Sequence, residues 1–557
     1  MNTPVQKVRK TVTLKLPGTD NTGSPGSKTK AKKTSVNPPA ALPITINIGL
    51  FTKTEGMNAG ALTALNNIFL RLESVLSHTP HKFRLLLALP HEKDIDIVNQ
   101  IFSCSFWEKR VFPEMLFFRQ GDSDQVFDDL ISGGIRYEIR DVSPERTAYG
   151  YDPVSIAVTE YSSLVLIMGN EGYWIDSGEK SPYILAKRYG RTAISIEPEA
   201  CRTKEIPNDD RIFETFMYFD SYNREKICKN KFSRKREEYI KSLKNDFRVA
   251  GLDEEIIEPS YEHLLPHYVR ARILGNKYNF LYFMKGILIS ALSALAVFTI
   301  AMQTLFFPDQ PALVWLEVIE IGLIIFLMAG SRIGNFHIKR IDYNFLSERI
   351  RSAFFIGIIC STCGKKEELP PMTSLRTPND WMALAFEAIV SSDRPVYCNS
   401  EHDFEPLKKF FAAAWINRRL AHYEREAEKA RLRYHSLAVS GEIIFTFTLF
   451  LAVAHALGVG HWERLFNAEL PLIMAFFTIT LPAIGAAVST IRVQGEYHRN
   501  LDSYSYIVRH LTSIKTEMKY ISGMAELCAL LKEVNEMTFG EVHDWKIIFR
   551  YTNIENI

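Results

Sequence analysis

Three sets of residues in this chain could do chemistry. The first lies in polar loops of the N-terminal half: Thr52-Lys53-Thr54-Glu55-Gly56-Met57-Asn58, Gly169-Asn170-Glu171-Gly172, and Asp176-Ser177-Gly178-Glu179-Lys180-Ser181. Flexible glycines, free amides at a helix start and a lysine suit a phosphate. None of the loops is a Walker A or a GxGxxG, so the spacing leaves a plain loop–helix junction open beside a phosphate site. The second set is Glu317, Glu320 and His455, which interrupt long apolar runs. Ionisable groups there mark ion paths by default, and a ring of carboxylates in an oligomer favours cations. Packing against a neighbouring helix is the alternative. The third set is Cys360 and Cys363, half a zinc knuckle, with Cys398 and His402 far downstream. With no second tight cysteine pair, we expect ordinary reduced thiols and no bound metal.

The loops need a scaffold. Ile44–Thr52 (ITINIGLFT), Phe83–Leu89 (FRLLLAL), Ser162–Gly169 (SSLVLIMG) and Thr192–Glu197 (TAISIE) are apolar runs of strand length. Ala59–Leu76, Ile95–Phe102 and Pro182–Tyr189 read as helices between them. Strands apolar on both faces indicate a parallel sheet covered by helices. The expected fold is a Rossmann-like open α/β sheet over residues 43–225, with ligands outside the carboxyl ends of its strands, where the loops fall.

The intramembrane candidates need a different scaffold. Gly286–Phe307, Ala312–Gly330, Leu437–Val459 and Leu470–Ile491 are apolar segments of about 20 residues, enough to cross a hydrocarbon core. They form two hairpins of an all-α transmembrane module. Glu317 and Glu320 share a helix face in the outer part of the second span, with His455 at a similar level. Glu442 sits near the inner end of the third. Arg270, Arg272, Lys277, Lys285, Arg332, Lys339, Arg340, Arg431, Arg433, Arg492 and Arg499 flank the spans on one side, which places both termini in the cytoplasm. After each hairpin comes an amphipathic helix, Phe336–Phe355 and then Tyr497–Ile514, a crude structural duplication. Pro482 and Gly485 allow a kink in the fourth span, although small-residue packing with Ala483 and Ala487 explains them better.

The remaining chain divides accordingly. Residues 1–42 carry eight Lys or Arg against Asp20 alone, which reads as a disordered basic tail able to touch anionic lipid, without an apolar leader. Residues 226–278 read as a helical linker and 279–357 as the first hairpin with its following helix. Residues 358–436 hold an insert and the charged helix Arg418–Arg433, and 437–557 the second hairpin and C-terminal helices. A net charge of +2 over 557 residues gives no electrostatic case for nucleic acid. Seven cysteines facing the cytosol argue for free thiols rather than disulfides.

Two stretches resemble known families. Ala148-Tyr149-Gly150-Tyr151-Asp152, then SSLVLIMGNEG, then DSGEKSPYILAKRYGRTAISIEP, resemble the SLOG superfamily, with Ala186-Lys187-Arg188-Tyr189-Gly190-Arg191-Thr192 fitting its helix-to-strand tail. Phe83–Lys93 (FRLLLALPHEK) is similar to its second strand. The family's Gly-Gly-Thr loop is reduced here to Ser177-Gly178-Glu179-Lys180-Ser181, and the Pro-Gly-Gly-x-Gly-Thr loop of its N-glycosidase branch is missing. The resemblance therefore implies a nucleotide sensor rather than a hydrolase. Tyr268-Val269-Arg270-Ala271-Arg272, the helix from Asn344 to Ala353 and the stretch Glu541–Arg550 resemble the SLATT membrane modules of bacterial defence systems. Together these imply a homo-oligomeric, pore-forming antiphage effector of the inner membrane. It would be gated by a nucleotide-type second messenger from a companion synthase. The alternative is a membrane-anchored nucleotide-processing enzyme using Glu171, Asp176 or Glu179 as acid or nucleophile.

Overall fold

The computed structural model describes residues 37–52, 59–88, 100–101, 105–107, 114–119, 137–142, 151–168, 181–197, 202–205, 211–253, 258–362, 380–391, 404–459, 464–465 and 468–551. The N-terminal part is built on one seven-stranded sheet of order β4-β3-β2-β1-β5-β6-β7. Its strands are β1 (Ile44–Thr52), β2 (His81–Ala88), β3 (Glu114–Arg119), β4 (Tyr137–Asp141), β5 (Leu164–Met168), β6 (Thr192–Glu197) and β7 (Arg202–Glu205). Neighbours run parallel except at the β6–β7 edge, which is antiparallel. The strand order reverses at β1, which pairs with β2 on one side and β5 on the other.

The four strands expected from apolar runs are present, with β2 starting two residues earlier and β5 two residues later than expected. Three more were not expected. β4 (YEIRD) and β7 (RTKE) are polar edge strands, where charge discourages further pairing. β3 (EMLFFR) is apolar only over four residues between charged ends. The sheet is covered by α1 (Ala59–Val75), α2 (Pro153–Tyr161), α3 (Pro182–Arg188) and α4 (Arg211–Arg224). α2 starts at a cap: Asp152 Oδ1 accepts from the Ser155 amide at 2.8 Å, and Pro153 follows. Of the expected helix Ile95–Phe102, only residues 100–101 are described.

The rest is helical: α5 (Lys229–Ala250), α6 (Glu258–Phe306), α7 (Pro311–Ile333), α8 (Phe336–Thr362), α9 (Trp381–Ser391), α10 (Phe404–Phe411), α11 (Arg418–Ala456), α12 (Leu470–Gln494), α13 (Tyr497–Glu517) and α14 (Met524–Tyr551). A π-helical segment, Ala412–Asn417, joins α10 to α11 without a break. Four of these helical stretches are long and apolar enough to cross a membrane. Their principal packing runs in the order α7, α6, α12, α11. Pro482 lies within α12 without ending it, and a Cβ at Gly485 would meet the Phe445 ring at 3.0 Å, so the small residue serves close α11–α12 packing.

The duplication is closer than the sequence reading allowed. α6, α7 and α8 form one unit, and α11, α12 and α13 the other. In both, the third helix folds back along the first. The corner is the same in each: Gly334-Asn335-Phe336-His337 and Gly495-Glu496-Tyr497-His498. Asn335 and Glu496 are both left-handed, each at φ 48°. Matching amides close both corners, Asn335 to Arg332 and Glu496 to Val493. A Cβ on Gly334 would collide with the Phe336 ring, and one on Gly495 with the Tyr497 ring. Glycine is what lets the aromatic ring fold over the corner.

Candidate functional site

The strand order reverses at β1, and the carboxyl ends of β1 and β5 are therefore the position where open parallel sheets take ligands. Thr52 ends β1 there and is paired with Met168 at the end of β5. Ser181 is fully buried just before α3, and its carbonyl accepts from Tyr151 Oη at 3.1 Å. Its hydroxyl has no hydrogen-bond partner among the described residues. Lys53, Glu55, Gly56, Asn58, Gly169, Asn170, Glu171, Gly172, Asp176, Ser177, Gly178 and Lys180 lie outside the described residues.

The opposite end of the sheet is tied to the helices. Asn223, near the end of α4, accepts from the Leu42 amide at 2.8 Å and donates to Thr79 Oγ1 at 3.0 Å. Asp220 accepts from the His78 amide and the Thr79 hydroxyl, both at 2.8 Å. Leu42 and Thr79 lead into β1 and β2, so α4 ends under the amino ends of the strands. There Arg270 of α6, only 5 % exposed, donates to the carbonyls of Tyr222 (2.9 Å), Asn223 (3.1 Å), Glu225 (3.3 Å) and Pro39 (3.1 Å). An α-helix leaves its last carbonyls without intrahelical donors, and a cation there also meets the negative end of its dipole. The first long helix thus caps the last helix of the sheet domain.

Glu225 completes the clamp. Its carboxylate accepts from Lys277 Nζ at 2.9 Å, from Lys339 Nζ at 3.2 Å and from the Tyr278 hydroxyl. Burial acts to raise the Glu225 pKa, but the hydrogen bonds from Tyr278 and Lys277 and the charges of Lys339 and Lys277 outweigh it and hold the carboxyl low. An aromatic cluster surrounds it. Tyr343 packs on Tyr222, Tyr278 and Trp381 at centroid distances of 5.4, 5.6 and 5.8 Å. Trp381 Nε1 donates to Asp342 at 2.7 Å. These groups join α4, α6, α8 and α9 into one core, a few residues from the Asn335 corner.

Beyond the clamp, α6, α8, α11 and α13 surround a cavity of about 930 Å³ at the polar ends of the apolar helices. Eight arginines and lysines line it against three glutamates. At its wall, Glu348 of α8 meets Arg419 of α11 at 3.0 Å, Arg351 at 3.7 Å and Arg272 of α6 at 3.8 Å. Burial raises the Glu348 pKa, but the three guanidiniums and His422 overcome it and pull it down to about 2. One carboxylate against three arginines leaves the site positive. The cavity therefore attracts anions and repels cations.

The expected pore residues do not converge within the chain. Glu320 is 4 % exposed and accepts from the Thr299 hydroxyl of α6 at 3.2 Å. Glu317 is half-buried on the same helix. His455 is half-buried on α11, separated from α7 by α6 and α12 in the packing order. Of the metal candidates, Cys360 lies in α8, while Cys363, Cys398 and His402 lie outside the described residues. No group of three or more possible metal ligands occurs among the described residues.

Sequence reasoning missed the clamp and the Glu348 hub. Their members are scattered between residues 225 and 419, and each alone reads as an ordinary helix-surface charge. The sequence-only signal was the concentration of arginines before and after the apolar runs. No protein-family model, curated protein or solved structure matches this chain.

Proposed function

We propose that the protein is a membrane effector gated by a nucleotide-type signal. In this reading the Rossmann-like sheet binds the ligand at the carboxyl ends of β1 and β5. The four apolar helices cross the bacterial inner membrane, with the sheet and both termini in the cytoplasm. The SLOG and SLATT resemblances add antiphage defence and a companion synthase as the setting.

The Glu225 clamp carries the proposal. It fixes the sheet domain to α6 and α8 within about two helical turns of the apolar segment that begins near Gly286. An anchor for an enzyme needs no such joint. A domain that must move its spans does. The ligand end and the clamp are at opposite ends of the strands, so the sheet acts as a rigid body between them. The ligand shifts the equilibrium only by as much as it prefers one arrangement of that body over the other. The basic cavity sits at the inner mouth of the spans, which supports an anion-preferring path rather than the cation path expected from the glutamates.

Full-length protein in dye-loaded liposomes should leak when one nucleotide of a linear and cyclic panel is added, with the nucleotide recovered intact. Leakage should disappear in Glu225→Gln. Turnover of a nucleotide without leakage would replace this reading with the anchored enzyme.

A further inference from the structure

The repeat fixes a residue register between the two units. Tyr282 of α6 packs on His337 at 5.1 Å, and Tyr434 of α11 packs on His498 at 5.3 Å. Tyr434 is therefore the counterpart of Tyr282, as Gly495 is of Gly334. Counting along the helices from these pairs matches Phe298 of α6 with Phe450 of α11, and Phe476 of α12 with Trp315 of α7.

Within one chain the apolar stretches of the two units meet through α6 and α12. Phe298 and Phe306 pack edge-on against the Phe476 ring, at 5.2 and 5.6 Å. Near the corner, Gln494 donates to the Tyr282 carbonyl at 3.4 Å. The equivalent surfaces of the other two helices, α11 and α7, lie at opposite ends of the packing order. Their contact residues are open. Phe476 is 8 % exposed and Phe298 40 %, whereas their counterparts Trp315 and Phe450 are 68 % and 67 % exposed. Thr480 is buried in α12, whereas its counterpart Ile319 is exposed. The same holds for Ile333, the counterpart of Gln494, which is exposed.

We propose that α11 of one copy docks on α7 of the next, repeating between chains the α6–α12 interface found within the chain. The occupant of both faces is a second copy of this protein. Acyl chains satisfy any apolar face, so exposure alone would not select a protein partner. The register does: the aromatic pair that meets in the internal interface, Phe298 with Phe476, has a more open aromatic counterpart on each free end. The contact is heterologous, α11 to α7 rather than like to like, so it propagates head to tail, and a rotation that closes makes it a ring. Each protomer contributes two units to that ring. The proposal rests on the reading that these helices cross a bilayer. It also supplies what four helices packed in a row do not, an enclosed path made by several chains.

Cysteine crosslinking of the full chain in native membranes tests it. Trp315→Cys combined with Phe450→Cys should give a ladder of multimers on oxidation. The two single variants, co-expressed, should give a mixed dimer, and each alone should give no dimer beyond the background of the native cysteines. Phe298→Cys with Phe476→Cys is the internal control, expected to crosslink within one chain and to form no ladder. A working control pair with no ladder from the 315–450 pair overturns the interface. So does a dimer from Trp315→Cys alone, which would make the contact like to like. Extraction of the protein by alkaline carbonate would instead overturn the membrane reading on which the interface rests.

Discussion

The two helical units share a scaffold and differ where one of them holds the sheet. Leu346, Ile350 and Ala353 of α8 correspond to Ile507, Leu511 and Ile514 of α13, and all six are buried. Tyr343 corresponds to Tyr504, and each packs on a tyrosine of its own long helix, at 5.6 and 5.7 Å. The clamp positions do not match. Tyr278, Lys339 and Asp342 correspond to Ala430, Asn500 and Ser503. The apolar positions keep the third helix folded back along the first in both units. The polar differences set which unit carries the Glu225 clamp, while the second unit meets α5 through Arg418, which pairs with Asp246.

Glu348 joins the two units directly, because it holds arginines from both. Glu348→Ala leaves Arg272, Arg351 and Arg419 crowded without their carboxylate, and Arg419 is only 2 % exposed. Removing one partner of a buried ion cluster costs roughly 3–5 kcal/mol, which thermal unfolding in detergent would read as a large drop in midpoint. The pH dependence has a definite sign. The folded pKa is depressed to about 2, so the stabilisation is complete above the usual carboxylate range and is lost as pH falls toward the folded value. An unchanged midpoint would mean that the remaining contacts between the units, the α6–α12 packing first among them, hold them together without Glu348.

The clamp comes next. Glu225→Gln keeps the shape and removes the charge from the hydrogen bonds of Lys277, Lys339 and Tyr278. The expected loss is roughly 1.5–3 kcal/mol, the contribution of hydrogen bonds to charged groups. Asn500→Ala, at the counterpart of Lys339, should leave the sheet domain's protease resistance unchanged. Equal loosening of the sheet by both variants would erase the distinction between the unit that holds the sheet and the one that does not. The Glu225 pKa is lowered, so the clamp is intact at neutral pH and is lost only as pH falls below the usual carboxylate range.

The corners test what the units share. Overpacking costs about 1–3 kcal/mol, and replacing helical glycine returns about 0.5–1 kcal/mol. Gly334→Ala and Gly495→Ala should therefore each destabilise by a small, similar amount, read as a lower unfolding midpoint. The added methyl strikes the aromatic ring two residues later in both corners. A cost at one corner alone would show that the match in φ does not reflect equal packing.

Legibility in the sequence followed chemistry that repeats locally. The strands Ile44–Thr52 and Thr192–Glu197 were readable because isoleucine recurs at every second position, and the long apolar helices because they are apolar over enough residues to cross a membrane. β4 was not readable, since a polar edge strand resembles a loop. The corner motif was present as Gly-x-aromatic-His, but an Asn or a Glu carries no strong signal for a left-handed backbone. Apart from Arg351, three residues from Glu348, the clamp and the Glu348 hub depend on partners more than fifty residues apart, and no local period encodes such pairs.

The smallest effect separates the two corners by their central residue. A left-handed backbone costs an ordinary side chain roughly 1–2 kcal/mol, while asparagine tolerates it better. Glu496→Gly should therefore stabilise by up to about 1 kcal/mol, and Asn335→Gly by less. Side-chain electrostatics point the same way at Glu496. Burial raises its pKa, and the charges of Arg340 and Arg499 offset that only in part, so its carboxylate adds little to the fold. A higher unfolding midpoint for Glu496→Gly than for Asn335→Gly is the expected result. A lower one would mean that Arg340, which reaches over from the first unit, is held by that carboxylate, and that the second corner is an electrostatic joint between the units rather than a passive turn.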